Sequence, residues 1–170
     1  MERRTFLRTL LLGGGALMAG GTGALLLNGM GGEAAAAPTQ FPVTRTAAEW
    51  QKLLSKEAYE VLRLAATEYP GTSPLLNEHR RGVFACAGCD QRLFDSRTKF
   101  ESGTGWPSFY QPIAKNAVIE NRDTSHGMVR TEVQCSRCGG HLGHVFDDGP
   151  KPTGLRYCMN GVAMKFIPAA

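Results

Sequence analysis

The chain of 170 residues contains 42% hydrophobic, 20% charged and 8% aromatic residues, a balance that excludes a collagen-like repeat, a long disordered tail and a protein with many membrane spans. Its 19 basic and 15 acidic side chains give a formal net charge of +4, without the runs of like charge that a nucleic-acid-binding surface needs. We therefore expect one globular domain and no nucleic-acid partner. Five cysteines are an odd number, so pairwise bridging leaves at least one thiol unpaired.

The first 36 residues have the layout of an export signal. Arg3 and Arg4 provide a basic start, 24 uncharged residues precede Glu33, and small residues follow; this order is typical of signal peptides. Paired arginines before a glycine-rich apolar segment resemble the twin-arginine signal. We therefore expect a leader over residues 1–36, cleaved near Ala36, and export to the periplasm or another extracytoplasmic location. An uncleaved leader that anchors the chain in the membrane stays the alternative, because the uncharged stretch is long enough to span a bilayer.

A linker and two helices are predicted next. Residues 37–45 contain two prolines and no periodic pattern, which indicates a linker or extended arm. Thr46 and Glu49 form a capping-box pattern, and apolar residues follow at helical spacing. Ser55 is a suitable cap for a second helix that ends before the Pro70-Gly71 breaker. The apolar face of that helix is predicted to be Ala58, Val61, Leu62 and Ala65.

From Gly71 onward the pattern changes to short β-rich runs separated by Gly, Pro, Asn and Asp. The runs are Gly82–Ala85, Ala117–Glu120, Met128–Val133 and Val162–Phe166. Because these runs are short and turn residues separate them, we expect antiparallel strands. The sequence therefore predicts a β-dominated α+β domain over residues 46–170, with two leading helices.

Four of the five cysteines form two C-x-x-C pairs. Cys86 and Cys89 are followed after 45 residues by Cys135 and Cys138. Two such tight turns supply a tetrahedral four-thiolate zinc site, in which zinc is structural because no ligand position stays open. Two redox centres or two disulfides are the alternatives, and an oxidising compartment favours disulfides. A twin-arginine leader favours zinc, because that route carries proteins already folded and metal-loaded in the reducing cytoplasm.

The fifth cysteine, Cys158, stands alone, and a lone buried cysteine is usually an inert small hydrophobe. Its neighbours suggest a nucleophile instead. Arg156 and Asn160 would share one strand face with Cys158, because side chains alternate along a strand. A cation and an amide donor beside the sulfur are expected to lower its pKa and favour the thiolate.

Two histidines and one tryptophan are further candidates. His141 and His144 follow the second cysteine pair, and four thiolates already saturate the zinc, which leaves both imidazoles for acid–base work near pH 7. Asp147 and Asp148 come directly after, and either is suited to orient an imidazole or to pair with an arginine. Trp106 lies in a glycine-rich turn, where an indole packs in the core or forms the wall of a pocket.

Four motifs occur in one order along the chain: C-A-G-C, S-G-T-G-W-P-S-F, C-S-R-C-G-G-H-L-G-H-V-F-D-D-G-P and R-Y-C-M-N. Together they resemble the type B methionine sulfoxide reductases, which reduce the R epimer of methionine sulfoxide. The resemblance covers residues 46–168, nearly all of the chain after the leader. It implies a pair of small antiparallel sheets with N-terminal helices and a structural zinc site remote from the chemistry.

The resemblance also implies a role for each candidate. Cys158 would attack the sulfoxide sulfur, and Trp106 would hold the S-methyl group and set the choice of epimer. His141 and His144 would bind and protonate the sulfoxide oxygen. The residues that would orient the histidines and support the thiolate are Asp148, Arg156 and Asn160.

Regeneration of the enzyme is expected to need a second protein. Many family members have a resolving cysteine where this chain has Thr104. Without it, a thioredoxin-like or other external thiol must reduce the Cys158 sulfenic acid directly, and we expect the enzyme to be a monomer. Two other classes stay open: a non-catalytic zinc-binding module, and a disulfide oxidoreductase in which Cys86 or Cys89 is essential.

Overall fold

The computed structural model describes residues 40–170. The predicted leader over residues 1–36 and the start of the predicted linker lie outside the described residues. In residues 40–170, none of the helices is both long and apolar enough to traverse a membrane.

Two short helices begin this part of the chain, each at its predicted cap. Helix α1 (Ala47–Leu53) follows Thr46, whose side chain accepts from the Glu49 amide while the Glu49 carboxylate accepts from the Thr46 amide at 2.7 Å. Helix α2 (Lys56–Leu64) follows Ser55, and its Ala58, Val61 and Leu62 are buried. Ala65 was wrongly predicted on that buried face. The helix ends before it, because Ala65 adopts a left-handed backbone (φ 54°) and is exposed.

In the described residues after α2, nine antiparallel strands form two sheets, which confirms the predicted fold class. The strands are β1 Gly82–Cys86, β2 Arg92–Asp95, β3 Lys99–Phe100, β4 Ser108–Phe109, β5 Val118–Asp123, β6 Arg130–Cys135, β7 His141–Phe146, β8 Arg156–Met159 and β9 Met164–Pro168. One sheet has the order β2-β1-β9, and the other has the order β3-β4-β8-β7-β6-β5. Short 3-10 helices lie at Pro74–Asn77, Ser96–Thr98, Ser125–Gly127 and Gly161–Ala163.

An aromatic cluster joins the two sheets. Phe84 and Phe94 come from the three-stranded sheet, and Phe109 comes from the six-stranded one. The rings of Phe94 and Phe109 stack with their centroids 4.4 Å apart, and Phe84 meets Phe109 edge-on at 4.9 Å. All three side chains are fully buried, so their apolar area contributes strongly to the stability of the domain.

Candidate active site and metal centre

The six-stranded sheet arranges polar residues from four strands in one row. Cys158 on β8 lies directly opposite Ser108 on β4 and His144 on β7, and His144 lies opposite Glu132 on β6. Opposite residues of an antiparallel pair point to the same face, with their Cβ atoms about 4.5–5.5 Å apart. The register therefore brings a thiol, an imidazole and a carboxylate onto one face of the sheet.

A second row of side chains lies on the same face, two residues along each strand from the first row. Arg156 is opposite Phe146, and Asp123 is opposite Arg130. Because side chains alternate along a strand, Arg156 shares its face with Cys158, as predicted from the sequence.

A cavity of about 140 Å³ opens on this face. Cys158, His144 and Trp106 belong to three separate sequence motifs, and all three line this cavity. Gly143 is required on its wall, because a Cβ at this position would collide with the backbone oxygen of Cys158 on the adjoining strand. The residues that line the cavity are Thr67, Trp106, Arg130, Gly143, His144, Phe146, Cys158 and Asn160.

A larger cavity of about 730 Å³ adjoins the first and contains His141. The two cavities share Thr67, Arg130 and His144. His144 thus faces the space beside Cys158, whereas His141 borders the neighbouring space.

Burial raises the pKa of the Cys158 thiol. The Thr104 hydroxyl, with its Oγ1 3.8 Å from the sulfur, and the Arg156 guanidinium both act in the opposite direction, but desolvation of the thiolate is the largest effect. The expectation of a lowered pKa is therefore right for the contribution of Arg156 and wrong for the net shift. Cys158 is mainly a protonated thiol at neutral pH.

His144 is held by a carboxylate that the sequence did not single out. Its Nε2 lies 2.8 Å from Oδ2 of Asp123. Hydrogen bonds from Ser125, together with the one from His144, hold the pKa of Asp123 below its usual range. An ionised carboxylate can only accept, so Nε2 carries the proton and the neutral ring presents an unprotonated Nδ1. Burial lowers the pKa of His144, which favours that neutral form.

His141 is fixed in the same way by Glu132. Its Nδ1 lies 2.6 Å from Oε1 of Glu132, and that hydrogen bond lowers the pKa of the carboxyl group. Gln134 donates to the other carboxylate oxygen at 2.9 Å. The His141 side chain is 5% exposed, and its Nε2 is buried without a hydrogen-bond partner in residues 40–170. Such a group needs a water or ligand partner.

Asp148 does not orient a histidine. Its two carboxylate oxygens each accept from the Arg156 guanidinium at 2.8 Å. The guanidinium also lies over the Phe146 ring, 4.4 Å from its centroid. Asp148 therefore acts on the site through Arg156, the second of the two roles that the sequence left open, and the orienting role belongs to Asp123 and Glu132.

Asn160 lies just beyond β8 and is buried. Its side-chain amide donates to the Leu142 carbonyl at 3.0 Å, and its Oδ1 accepts from the Glu68 amide at 3.0 Å. Asn160 therefore joins β7 to the segment after α2, and these contacts do not involve the Cys158 sulfur. The Trp106 indole donates to the Glu68 carbonyl at 3.2 Å.

The four paired cysteines converge at a separate centre. The Sγ atoms of Cys86 and Cys138 are 3.7 Å apart, those of Cys89 and Cys135 are 3.5 Å apart, and all four lie within 4.8 Å of one another. Disulfide sulfurs would be about 2.05 Å apart, whereas thiolates around tetrahedral zinc, each about 2.3 Å from the ion, lie about 3.8 Å apart. The donor set fits a zinc ion, as the sequence predicted. Bound there, zinc would cross-link the turn after β1 to the turn after β6.

A partly buried cysteine beside a histidine, with a four-thiolate centre elsewhere in the domain, defines a cysteine-dependent enzyme with a structural metal site. The model of one protein family, described as the SelR domain, matches residues 54–168. The chain belongs to this family and, by the relatives below, to the MsrB-type peptide methionine sulfoxide reductases. The resemblance predicted from the motifs is confirmed.

Curated relatives are similar over almost their whole length, and each carries the name peptide methionine sulfoxide reductase MsrB. The protein from Pseudomonas putida (strain W619) is 57% identical over 126 residues, which cover 74% of this chain and 95% of the relative. The protein from Agrobacterium fabrum is 54% identical over 130 residues, covering 76% and 96%. The protein from Leptospira interrogans is 52% identical over 126 residues, covering 74% and 96%.

Proposed function

We propose that this protein reduces methionine-R-sulfoxide in peptides and proteins to methionine, with Cys158 as the nucleophile. Family membership supports the activity and the substrate class. The observation that carries the role of Cys158 is its position opposite His144 in a small cavity that Trp106 also lines. A non-catalytic zinc-binding module is not favoured, because the relatives are named as reductases and Cys158 meets His144 in a cavity separate from the four clustered cysteines.

The resting site holds a thiol and a neutral imidazole. Burial raises the pKa of Cys158 and lowers the pKa of His144, so both groups are uncharged near pH 7. His144 accepts the thiol proton at Nδ1 as the sulfoxide binds. Asp123 and Glu132 each hold one nitrogen of their histidine ring, so the other nitrogen of each ring is not used in that bond.

The reaction then transfers one oxygen atom from sulfur to sulfur. The Cys158 thiolate attacks the sulfoxide sulfur while His144 delivers the proton to the sulfoxide oxygen, which makes that oxygen a better leaving group. The substrate S–O bond breaks and an S–O bond forms on Cys158. Methionine leaves reduced by two electrons, and Cys158 is oxidised by two electrons to a sulfenic acid that keeps the proton.

An external thiol completes the cycle. The sequence has five cysteines, and four of them belong to the metal cluster, so Cys158 has no resolving partner in its own chain. A first thiol forms a mixed disulfide with Cys158 and releases water. A second thiol then regenerates the Cys158 thiol and forms a disulfide. We propose a thioredoxin-like protein as the donor, acting on a monomeric enzyme; light scattering at assay concentration tests the monomer.

Export by the twin-arginine route is part of the proposal and rests on residues 1–36 alone. The paired arginines, the uncharged glycine-rich stretch and the alanines before Pro38 support a cleaved leader and an extracytoplasmic location. Expression of the full chain with fractionation and N-terminal sequencing tests it. Exported protein that begins near Ala37 is the expected result. Arg3→Lys with Arg4→Lys should keep the protein in the cytoplasm, and unchanged export of that variant would contradict the twin-arginine route.

The activity is tested with dabsylated methionine sulfoxide of each epimer. The wild-type protein with dithiothreitol should reduce the R epimer and leave the S epimer, and Cys158→Ser should lose the activity while keeping its zinc. Activity on the S epimer only, or activity that survives Cys158→Ser, would reject the proposal. If Cys89→Ser loses the methionine sulfoxide reductase activity while its fold and metal content stay intact, a disulfide oxidoreductase is favoured instead.

A further inference from the structure

Glu68 connects two parts of the active site that are far apart in the chain. Its carbonyl accepts from the Trp106 indole at 3.2 Å, and its amide donates to the Asn160 side chain at 3.0 Å. Its carboxylate also accepts from the backbone amides of Gly161 at 2.6 Å and Val162 at 3.0 Å. One residue thus uses its amide, its carbonyl and both carboxylate oxygens at the site.

The segment that carries Glu68 has few other attachments. It follows α2, where the Ala66 amide bonds to Glu60, and it meets the Trp106 loop again where Gly71 donates to the Gly105 carbonyl at 2.8 Å. Between those points Thr67 is exposed, and Tyr69 is 82% exposed. The carboxylate of Glu68, together with the hydrogen bond from its amide to Asn160, therefore sets where the Glu68 carbonyl lies.

The two backbone amides that donate to the Glu68 carboxylate belong to the residues directly after Cys158-Met159-Asn160. At Gly161 the backbone approaches the segment so closely that a Cβ would collide with the Ser73 hydroxyl and lie 3.4 Å from Oε1 of Glu68. Hydrogen bonds to an ionised acceptor are shorter and stronger than neutral ones. Only a side chain with two acceptor oxygens and the length of glutamate satisfies both amides.

We propose that Glu68 is a positioning residue that holds the Trp106 indole in place and so sets the selectivity of the site for a methyl sulfoxide. The carboxylate fixes the segment to the backbone after Cys158, and the Glu68 carbonyl then fixes the indole on the cavity wall. Without this link the indole is free to move, and the wall no longer matches the S-methyl group. The inference rests on the proposed function, in which Trp106 holds that group.

The test compares Glu68→Gln with the wild type on two substrates, dabsylated methionine-R-sulfoxide and the ethyl homologue, ethionine-R-sulfoxide. In a fitted apolar pocket one methylene changes kcat/KM by about 10- to 200-fold. Glu68→Gln should raise KM for the methyl substrate about 10-fold, the scale of a lost hydrogen bond to a charged group. The substitution should change kcat less than KM. It should also move the ratio of kcat/KM for the methyl substrate to kcat/KM for the ethyl substrate towards one. Glu60→Gln, a neighbouring glutamate on α2, is the matched control and should leave all three values unchanged.

Fluorescence gives a readout that does not need turnover. Trp50 and Trp106 are the two tryptophans, so Trp50→Phe isolates the emission of Trp106. Glu68→Gln in that background should shift the emission to longer wavelength, and Glu60→Gln should not. If the wild type reduces neither substrate, the proposed function fails while this measurement still tests Glu68.

Glu68→Asp separates positioning from folding, because it keeps the charge but reaches one amide at most. An intermediate KM and an intermediate emission shift are expected. Wild-type KM, substrate ratio and emission in Glu68→Gln would overturn the proposal. Loss of the folded state in both variants, seen in thermal unfolding, would also overturn it, because the carboxylate would then support the whole domain rather than the indole.

Discussion

Cys158 and His144 face each other on adjacent antiparallel strands, and each has a polar neighbour in the next strand of the same row. In this row the His144 imidazole lies between the Cys158 sulfur on one neighbouring strand and the Glu132 side chain on the other. Rigid strands hold such a pair more accurately than loops do. The chemistry is therefore fixed mainly by sheet register, with Trp106 supplied from a loop above it.

Asp123→Asn should lower kcat/KM for methionine-R-sulfoxide by about 10- to 100-fold, a part of what general acid–base catalysis contributes. The carboxylate holds the His144 tautomer, and an asparagine amide can turn its NH2 group towards the ring and reverse that tautomer. Steady-state kinetics measures the effect. Asp147→Asn is the matched control, since Asp147 is exposed and belongs to neither the His144 nor the His141 hydrogen bond; an equal loss in both variants would contradict the role of Asp123.

Arg156→Ala should slow alkylation of Cys158 by iodoacetamide at pH 7. The guanidinium lowers the pKa of Cys158 against the effect of burial, so its removal raises that pKa further and reduces the thiolate fraction. The rate should fall by up to about 10-fold, which corresponds to one pKa unit. Its pH profile should shift to higher pH. Arg97→Ala, which removes another arginine paired with an aspartate, should leave the rate unchanged, and an unshifted profile in Arg156→Ala would contradict the account.

Removal of the metal should destabilise the fold rather than block the chemistry directly. Zinc sites of this type contribute about 10–16 kcal/mol of apparent binding free energy, which becomes folding free energy. Purified protein should contain one zinc per chain, and chelation or Cys86→Ser should lower the unfolding temperature sharply. Cys158→Ser should retain the zinc and unfold near the wild-type temperature. Metal-free protein with unchanged thermal stability would argue against a structural site.

Thr104→Cys should add a resolving cysteine. The Thr104 hydroxyl oxygen is 3.8 Å from the Cys158 sulfur, so a thiol there lies within reach of a sulfenic acid. After one turnover without reductant, intact mass should show loss of two hydrogens, the mark of an internal disulfide. The wild type should instead gain one oxygen. Thr153→Cys places a thiol in a different loop and should behave as the wild type; a disulfide in the wild type would contradict the one-cysteine mechanism.

The local features of the fold were readable from the sequence, because their partners are close in the chain. Thr46 and Ser55 cap helices through residues three positions away. Each C-x-x-C pair forms its own turn, and only the meeting of the two turns depends on the fold. The four predicted β-rich runs correspond to β1, β5, β6 and β9.

The parts that sequence patterns missed depend on pairing. Strands β3 and β4 have two residues each. Such short strands form because they pair with neighbouring strands, and their own sequence propensity does not predict them. Strand β7 contains Gly143, and glycine is depleted in strands. Asp123 was missed because it lies 21 residues before His144 and meets it only when β5, β6 and β7 take their register. Asp147 and Asp148, nearer in sequence, looked like the better partners.

A single turnover without reductant tests the role of Cys158 most directly. Wild-type protein is mixed with excess methionine-R-sulfoxide and dimedone, and both the methionine released and the modified cysteine are measured by mass spectrometry. We expect one methionine per chain and a dimedone adduct on Cys158. Release of methionine with the adduct on any of the four clustered cysteines, or with Cys158 unmodified, would contradict it.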